Sequence, residues 1–314
     1  MSVANLRRGW RSSSLLAAAG LVMMVGGAAA WVATAPRPAY ATDVRAPFDG
    51  AGDVERGRQI FAAADCASCH ASPGQTDRLR LGGGMALASP YGTFRPPNIS
   101  QDPVDGIGAW RTVDLANALL SGVSPALKHY YPTFPYGSYA RMQPADVADL
   151  MAYLKTLPAV PGRPPKHDLA FPFNIRRFIG LWKVIYLDRT PLENDPSKSA
   201  DWNRGRYLVE SVAHCAECHS SRNFAGGIKP QTRFAGGRDP AGTGFASNIT
   251  PGGIGSWTVE DIAGLLDHGR TPDQRVVGAS MAGVVENAHL LPETDRRAMA
   301  VYLKTLPPRE TAKP

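Results

Sequence analysis

Two arrangements of apolar residues occur along this chain. One is a continuous apolar run from about Leu15 to Ala35. The other is the spacing of amphipathic helices, in which apolar residues recur every three or four positions, as at Val147, Leu150, Met151 and Leu154. We therefore expect a mainly helical protein with one long apolar helix near its N-terminus.

The amphipathic segments predict short helices separated by loops that are rich in glycine and proline. An opening helix is expected from Val54 to Phe61, and short helices over 113–120 and 259–266. A further helix is expected between Pro144 and Pro158, since proline is common at the start of a helix and just beyond its end.

The chain contains an internal repeat. Residues 202–209 resemble the opening segment 54–61, and the closing segment Tyr153–Pro158 returns as Tyr302–Pro307. Three further landmarks recur in the same order, namely the asparagine segments 97–100 and 247–250, the glycine-tryptophan segments 106–110 and 253–257, and the two cysteine motifs described below. The repeat predicts six segments: a signal peptide or signal anchor (1–41), a tether (42–53), a first domain (54–158), a linker (159–201), a second domain (202–307) and a tail (308–314).

The linker combines a proline-rich start with an unusually apolar stretch over 171–185. Proline favours an extended spacer at its beginning. The apolar stretch indicates either a helix packed against both domains or a surface for a membrane or partner subunit, flanked by Arg176, Arg177 and Lys183.

The N-terminus has the pattern of an export signal, because Arg7, Arg8 and Arg11 precede the apolar run. At roughly 20 residues the run is long enough to span a bilayer. However, Ala39-Tyr40-Ala41 is also a plausible cleavage site. Either an uncleaved anchor or a signal peptide places the rest of the chain on the periplasmic side of a bacterial membrane.

Composition and charge narrow the function only slightly. The 314 residues are 44% hydrophobic, and 34 basic residues against 27 acidic ones leave a net charge of +7. This charge could steer an acidic partner. Arginine-rich runs interleaved with aromatic residues are missing from the sequence, which argues against nucleic-acid binding.

The chemistry-bearing motif is Cys66-Ala67-Ser68-Cys69-His70, and a second copy is Cys215-Ala216-Glu217-Cys218-His219. C-x-x-C-H is the pattern of c-type haem attachment. The two thiols at this spacing can bond both vinyl groups of one porphyrin, and the following histidine can ligate its iron. A redox dithiol or half of a zinc site would also use C-x-x-C. Since the two copies use all four cysteines, we predict two covalently bound haem c groups, each enclosed by one helical domain.

The second axial ligand of each iron decides what such a protein can do. Methionine opposite histidine favours electron transfer at a raised potential, whereas an open position would suit oxygen or peroxide chemistry. In the second domain we predict Met281, in a glycine-containing loop, with Met299 assigned to the core. In the first domain Met142 is the first choice, although it aligns with Leu291. His129, Met85 or an open site are its alternatives.

Four stretches beside the motifs are characteristic of one family: Pro90-Tyr91-Gly92-Thr93, Pro97-Asn98-Ile99, Tyr131-Pro132-Thr133-Phe134-Pro135-Tyr136 and His214-Cys215-Ala216-Glu217-Cys218-His219. Through them, residues 50–307 resemble the cytochrome c subunits of bacterial membrane-bound dehydrogenases for alcohols, gluconate and aldehydes. The resemblance implies periplasmic electron transfer from a dehydrogenase partner towards quinone, a cytochrome or a terminal oxidase. Those subunits typically carry three haem modules, whereas this chain has two.

We therefore expect two tandem cytochrome c-like domains that carry electrons without substrate chemistry of their own. A di-haem enzyme of the peroxidase or thiosulfate-oxidising type, with one open haem, is the alternative. A third possibility is a haem-bearing docking subunit whose assembly depends on the apolar stretch 171–185.

Overall fold

The computed structural model describes residues 3–44, 47–48, 50–239, 244–278 and 280–313, with the backbone alone for residues 3–15. The side chains of Arg7, Arg8 and Arg11, positions 45, 46 and 49 of the expected tether, and residue 314 of the tail therefore lie outside the described part. The helices are α1 (Val3–Ala33), α2 (Val54–Ala63), α3 (Cys66–His70), α4 (Thr112–Ser121), α5 (Tyr136–Tyr139), α6 (Pro144–Leu154), α7 (Phe178–Tyr186), α8 (Ala200–Tyr207), α9 (Pro251–Ile254), α10 (Val259–His268), α11 (Ser280–Ala288) and α12 (Glu293–Leu303).

Strands are short and lie in the loops between helices. The strands β1 (Leu87–Ser89), β2 (Gly92–Phe94) and β3 (Asp168–Leu169) form one antiparallel sheet, in which Leu87 pairs with Phe94 and Gly92 with Leu169. The strands β4 (Gly237–Arg238) and β5 (Phe245–Ala246) form a second antiparallel pair. The mainly helical fold is as predicted. We call residues 54–158 the N-terminal half and residues 202–307 the C-terminal half. The linker also contributes a strand to the sheet of the N-terminal half.

Two crossings of an opening helix over a closing helix organise the described residues, α2 over α6 and α8 over α12. A glycine lies at each contact. A Cβ atom on Gly57 would lie 2.6 Å from the Asp149 carbonyl carbon and 2.8 Å from Tyr153 Cβ. A Cβ atom on Gly205 would similarly lie 2.5 Å from the Ala298 carbonyl carbon. The helices can approach this closely only because these two positions have no side chain.

The C-terminal half has one residue more than the N-terminal half between the helix crossing and the cysteine motif, and the fold accommodates it locally. Nine positions separate Gly57 from Cys66, but ten separate Gly205 from Cys215. The extra residue coincides with a π-helical turn over Leu208–Val212 directly after α8. A π-bulge accommodates an inserted residue without ending the helix. The crossing and the cysteine motif therefore keep the same relation in both halves.

Two middle helices match the predicted short helices and end in the same way. The C-terminal caps of α4 and α10 are Gly122 and Gly269, with φ angles of 60° and 67° in the left-handed region. Glycine is the usual residue at such a cap because it has no Cβ atom to clash.

The helix α1 contains the expected apolar run. Its 18-residue segment Leu16–Ala33 is solvent-exposed, and in length and composition this helix is suited to crossing a membrane. The apolar part of the linker forms α7, which contacts the end of α1.

Candidate functional site

Both cysteine motifs begin at a sharp turn that follows the opening helix. The residues preceding the motifs, Asp65 and His214, have φ angles of 52° and 41° in the left-handed region. Cys66–His70 then forms α3, and Cys215–Glu217 forms a turn of 3₁₀-helix. Residues three apart on such a turn lie on one side of it. Each pair of thiols is therefore presented together at the end of its helix crossing.

The four cysteines are unbonded and half-buried. Burial raises the pKa of the Cys69 thiol to about 11 and that of Cys218 to about 12. Burial therefore favours the neutral thiol over the thiolate at both positions. Among the described residues, groups of three or more cysteine, histidine or carboxylate side chains that could hold a metal ion are absent. The site therefore offers paired thiols, without a metal-binding cluster.

The histidine of each motif is held by a backbone carbonyl. His70 Nδ1 lies 2.8 Å from the Pro97 oxygen, and His219 Nδ1 lies 2.6 Å from the Ser247 oxygen. A carbonyl oxygen only accepts, so Nδ1 carries the proton and Nε2 keeps the lone pair. Burial lowers the pKa of both rings, which favours the neutral form. A neutral imidazole with a fixed tautomer is the form that ligates iron.

The asparagines of the repeated landmark support these carbonyls. Asn98 is buried; its Nδ2 donates to the Val160 oxygen at 2.6 Å, and its Oδ1 accepts from the Ser100 amide at 2.8 Å. Asn248 likewise donates to the Arg309 oxygen at 2.9 Å. Each amide ties the loop beside the histidine to the chain that follows the closing helix. The carbonyl partners of the histidines could not be predicted from the sequence.

The candidates for the second iron ligand lie in different surroundings. Met142 is buried just before α6, and its amide donates to the Tyr139 oxygen at 2.9 Å. Met281 is half-buried in the first turn of α11, so the prediction that it lies in a loop was wrong. His129 Nε2 donates to the Thr34 oxygen at 3.0 Å, which engages that nitrogen next to the end of α1. Both methionines remain predictions as iron ligands.

The segment before the closing helix of each half contacts the attachment motif of the other half. In the C-terminal half, Asn287 of α11 donates to Asp65 and, at 3.2 Å, to Ser68 Oγ. Arg78 forms an ion pair with Glu286 across the same contact. Packing against the N-terminal half explains why the segment around Met281 is helical rather than a free loop.

The reciprocal contact is made by α5 of the N-terminal half. Ser138 Oγ donates to Glu217 Oε1 at 3.0 Å. Tyr139 donates to the Ala64 oxygen at 2.9 Å, and its ring packs edge-to-face on His214, with ring centroids 5.6 Å apart. His214 also contacts the other half directly, since its Nε2 lies 3.3 Å from the same Ala64 oxygen.

Paired thiols, an imidazole whose Nε2 keeps its lone pair and a nearby helix crossing are together the features of a c-type cytochrome. Comparison with known proteins agrees. The cytochrome c family model matches residues 54–158. A diheme c-type cytochrome of Cereibacter sphaeroides is 46% identical over 298 residues, which are 94% of this chain and 98% of that protein.

Two further relatives belong to dehydrogenases. The fructose dehydrogenase cytochrome subunit of Gluconobacter japonicus is 37% identical over 81% of this chain, and a nicotinate dehydrogenase subunit of Pseudomonas putida is 36% identical over 91% of it. The alignments cover about half of the first protein and a quarter of the second, 52% and 24%. The chain belongs to the cytochrome c family, which confirms the resemblance predicted from the sequence.

Proposed function

We propose that this protein is a periplasmic di-haem electron carrier built from two tandem cytochrome c domains, residues 54–158 and 202–307. The proposed attachment residues are Cys66 and Cys69 in the first domain and Cys215 and Cys218 in the second. The proposed iron ligands are His70 and Met142 in the first domain and His219 and Met281 in the second. When bound, each haem c supplies an iron that cycles between its ferric and ferrous forms.

The observation that carries this proposal is the duplicated histidine geometry. In both halves a half-buried imidazole donates from Nδ1 to a backbone carbonyl, 27 or 28 residues later in the chain. This bond keeps Nε2 deprotonated and fixes the plane of the ring. A single copy of C-x-x-C-H would support one haem. The same hydrogen bond at both motifs supports a pair.

A dehydrogenase is the proposed electron donor, and a quinone, a cytochrome or a terminal oxidase is the proposed acceptor. Three relatives support a dehydrogenase donor, because they are named as cytochrome subunits of fructose, alcohol and gluconate dehydrogenases. The chain's own contribution is to hold the two attachment motifs together. The reciprocal contacts of α5 and α11 place each motif against the other half, which favours electron exchange within one chain.

We also propose that α1 is retained as a membrane anchor. The segment that a signal peptidase would cut, around Ala39-Tyr40-Ala41, is built into the fold. Asn117 is buried in α4; its Oδ1 accepts from the Tyr40 amide at 2.8 Å and its Nδ2 donates to the Tyr40 oxygen at 2.9 Å. Cleavage at this site would remove Tyr40, so Asn117 would lose both of these hydrogen bonds.

The proposal is tested by purifying the chain from detergent-solubilised membranes of its native host through a C-terminal tag. We expect a dehydrogenase to co-purify, and we expect its substrate to reduce the haem spectrum. Carbon monoxide should bind little to the reduced protein, since both irons are closed. A soluble protein that binds carbon monoxide at one haem and turns over peroxide or thiosulfate would refute the proposal.

A further inference from the structure

The helix α7 bridges both halves of the molecule through one of its faces. Lys183 Nζ donates to the Ser121 and Gly122 oxygens, each at 2.7 Å, at the C-terminal end of α4. Trp182 Nε1 donates to the Ala225 oxygen of the C-terminal half at 3.0 Å. Cationic groups are favourable at a helix C-terminus. The orientation of α7 is therefore fixed by contacts with both halves.

The opposite face of α7 is apolar and exposed. Phe178, Leu181, Val184 and Ile185 follow helical spacing, and each exposes more than half of its surface, from 53% to 66%. Phe171, shortly before the helix, is 78% exposed. The hydrogen bonds of Trp182 and Lys183 therefore fix α7 so that a row of large apolar side chains on its other face is exposed to solvent. Contiguous patches of this kind mark interaction surfaces.

The position of α7 next to α1 indicates what covers this face. A Cβ atom on Gly180 would lie 2.8 Å from the Thr34 carbonyl carbon, one residue beyond the end of α1. The Arg177 guanidinium lies 3.9 Å from the centroid of the Trp31 ring and donates to the Trp31 oxygen. Tryptophan and arginine are residues of the membrane–water boundary. The contact therefore places α7 where the apolar segment Leu16–Ala33 would leave a bilayer.

We propose that α7 is an interfacial helix that lies in the outer boundary of the lipid bilayer. Its apolar face, Phe178, Leu181, Val184 and Ile185, enters the boundary between headgroups and acyl chains, while Lys183 and Trp182 hold both halves above it. This inference rests on the proposed retention of α1 as an anchor. Helices of this type lie in the plane of the membrane with the apolar face about 5–10 Å deep. The two halves are then held at a fixed orientation to the membrane, whereas a single spanning helix alone would leave them free to rotate.

The proposal is tested with nitroxide labels on the full chain in phosphatidylcholine–phosphatidylglycerol vesicles. Val184→Cys places a label on the apolar face of α7. Val276→Cys is the matched control in the C-terminal half, because the two valines are 66% and 67% exposed in the structure. Accessibility to oxygen, which dissolves in lipid, and to a water-soluble nickel chelate is measured by electron paramagnetic resonance. Leu181→Cys is the second test position in case the first variant is unstable.

We expect the Val184→Cys label to be several-fold less accessible to nickel than the Val276→Cys label, and more accessible to oxygen. Equal nickel accessibility at both positions in vesicle-bound protein would overturn the placement of α7 and leave the anchor intact. A chain that fails to float with the vesicles would overturn the anchor and the placement together. The parent chain is the control for labelling at native cysteines, since thioether bonds to haem leave no thiol to react.

Discussion

The close crossing of α2 and α6 predicts that the protein loses stability when Gly57 is replaced by alanine. In Gly57→Ala, the new methyl group would lie 2.6 Å from the Asp149 carbonyl carbon and 2.8 Å from Tyr153 Cβ. Both neighbours are backbone or Cβ atoms, which a rotamer change cannot move. The helices α2 and α6 must therefore separate, which also stretches the 2.8 Å bond between Arg56 Nε and Asp149 Oδ2.

The size of the effect follows from two opposing contributions. Overpacking of a tight contact costs about 1–3 kcal/mol, and the absence of a movable side chain places this contact at the upper end. Replacing glycine by alanine inside a helix returns about 1 kcal/mol of helix propensity. We therefore expect the free energy of unfolding to fall by roughly 2 kcal/mol in Gly57→Ala.

The matched control is Gly264→Ala in α10, where a Cβ atom would meet nothing within 4 Å. This variant gains the helix propensity without a clash, so its free energy of unfolding should rise by up to about 1 kcal/mol. Guanidinium denaturation of the haem-loaded proteins, followed by far-ultraviolet circular dichroism, measures both changes. A Gly57→Ala protein that is as stable as Gly264→Ala would refute the close approach of α2 and α6.

Three further predictions concern separate parts of the molecule. Met142→Ala should lose half of the weak far-red band of sulfur-ligated ferric haem, whereas Met299→Ala, equally buried at 4% exposure, should lose none; an unchanged band in Met142→Ala would contradict the ligand assignment. Asn117→Ala removes both bonds to the Tyr40 backbone, at a cost of about 1–2 kcal/mol, so limited proteolysis should cut more rapidly near Tyr40, and unchanged resistance would argue against the clamp. Burial lowers the pKa of His167 from 6.5 to about 4, so the free energy of unfolding should fall as the pH drops through this window. Urea denaturation at a series of pH values should show a smaller fall in His167→Gln than in the parent chain. An equal fall in the two proteins would contradict this prediction.

Much of the fold could be predicted because it depends on short-range patterns. Helical spacing before and after each motif predicted α2 and α6, and their observed bounds, Val54–Ala63 and Pro144–Leu154, agree with the segments expected from the sequence. The C-x-x-C-H motifs predicted the attachment residues directly, because their chemistry requires a fixed local spacing. These inferences needed no knowledge of which segments meet in three dimensions.

The remaining features depend on contacts between residues far apart in the chain. Met281 was expected in a loop, because Gly278 and Gly283 flank it, but α11 forms where Asn287 binds Asp65 of the other half. The carbonyl partners of the two histidines are likewise set by loop geometry. The repeated asparagine segments 97–100 and 247–250 were the available signal, since they recur at nearly the same distance from each motif.

The apolar linker shows a similar division. The sequence left two alternatives for residues 171–185, a helix packed on both domains or an interaction surface. In the structure α7 contacts both halves through Lys183 and Trp182 and exposes apolar residues on its other face. Periodicity identifies an amphipathic helix, but the direction of its faces depends on the tertiary contacts of each polar group.

The central claim is that this chain carries two haem c groups, one on each motif. The most direct test is the haem content per chain, measured by pyridine haemochrome absorbance and by peptide mass in protein produced with a haem-attachment system. We expect two haems in the parent chain and one in each of two double variants, Cys66→Ala with Cys69→Ala and Cys215→Ala with Cys218→Ala. A parent chain with a single haem, or a double variant that retains both, would contradict the claim.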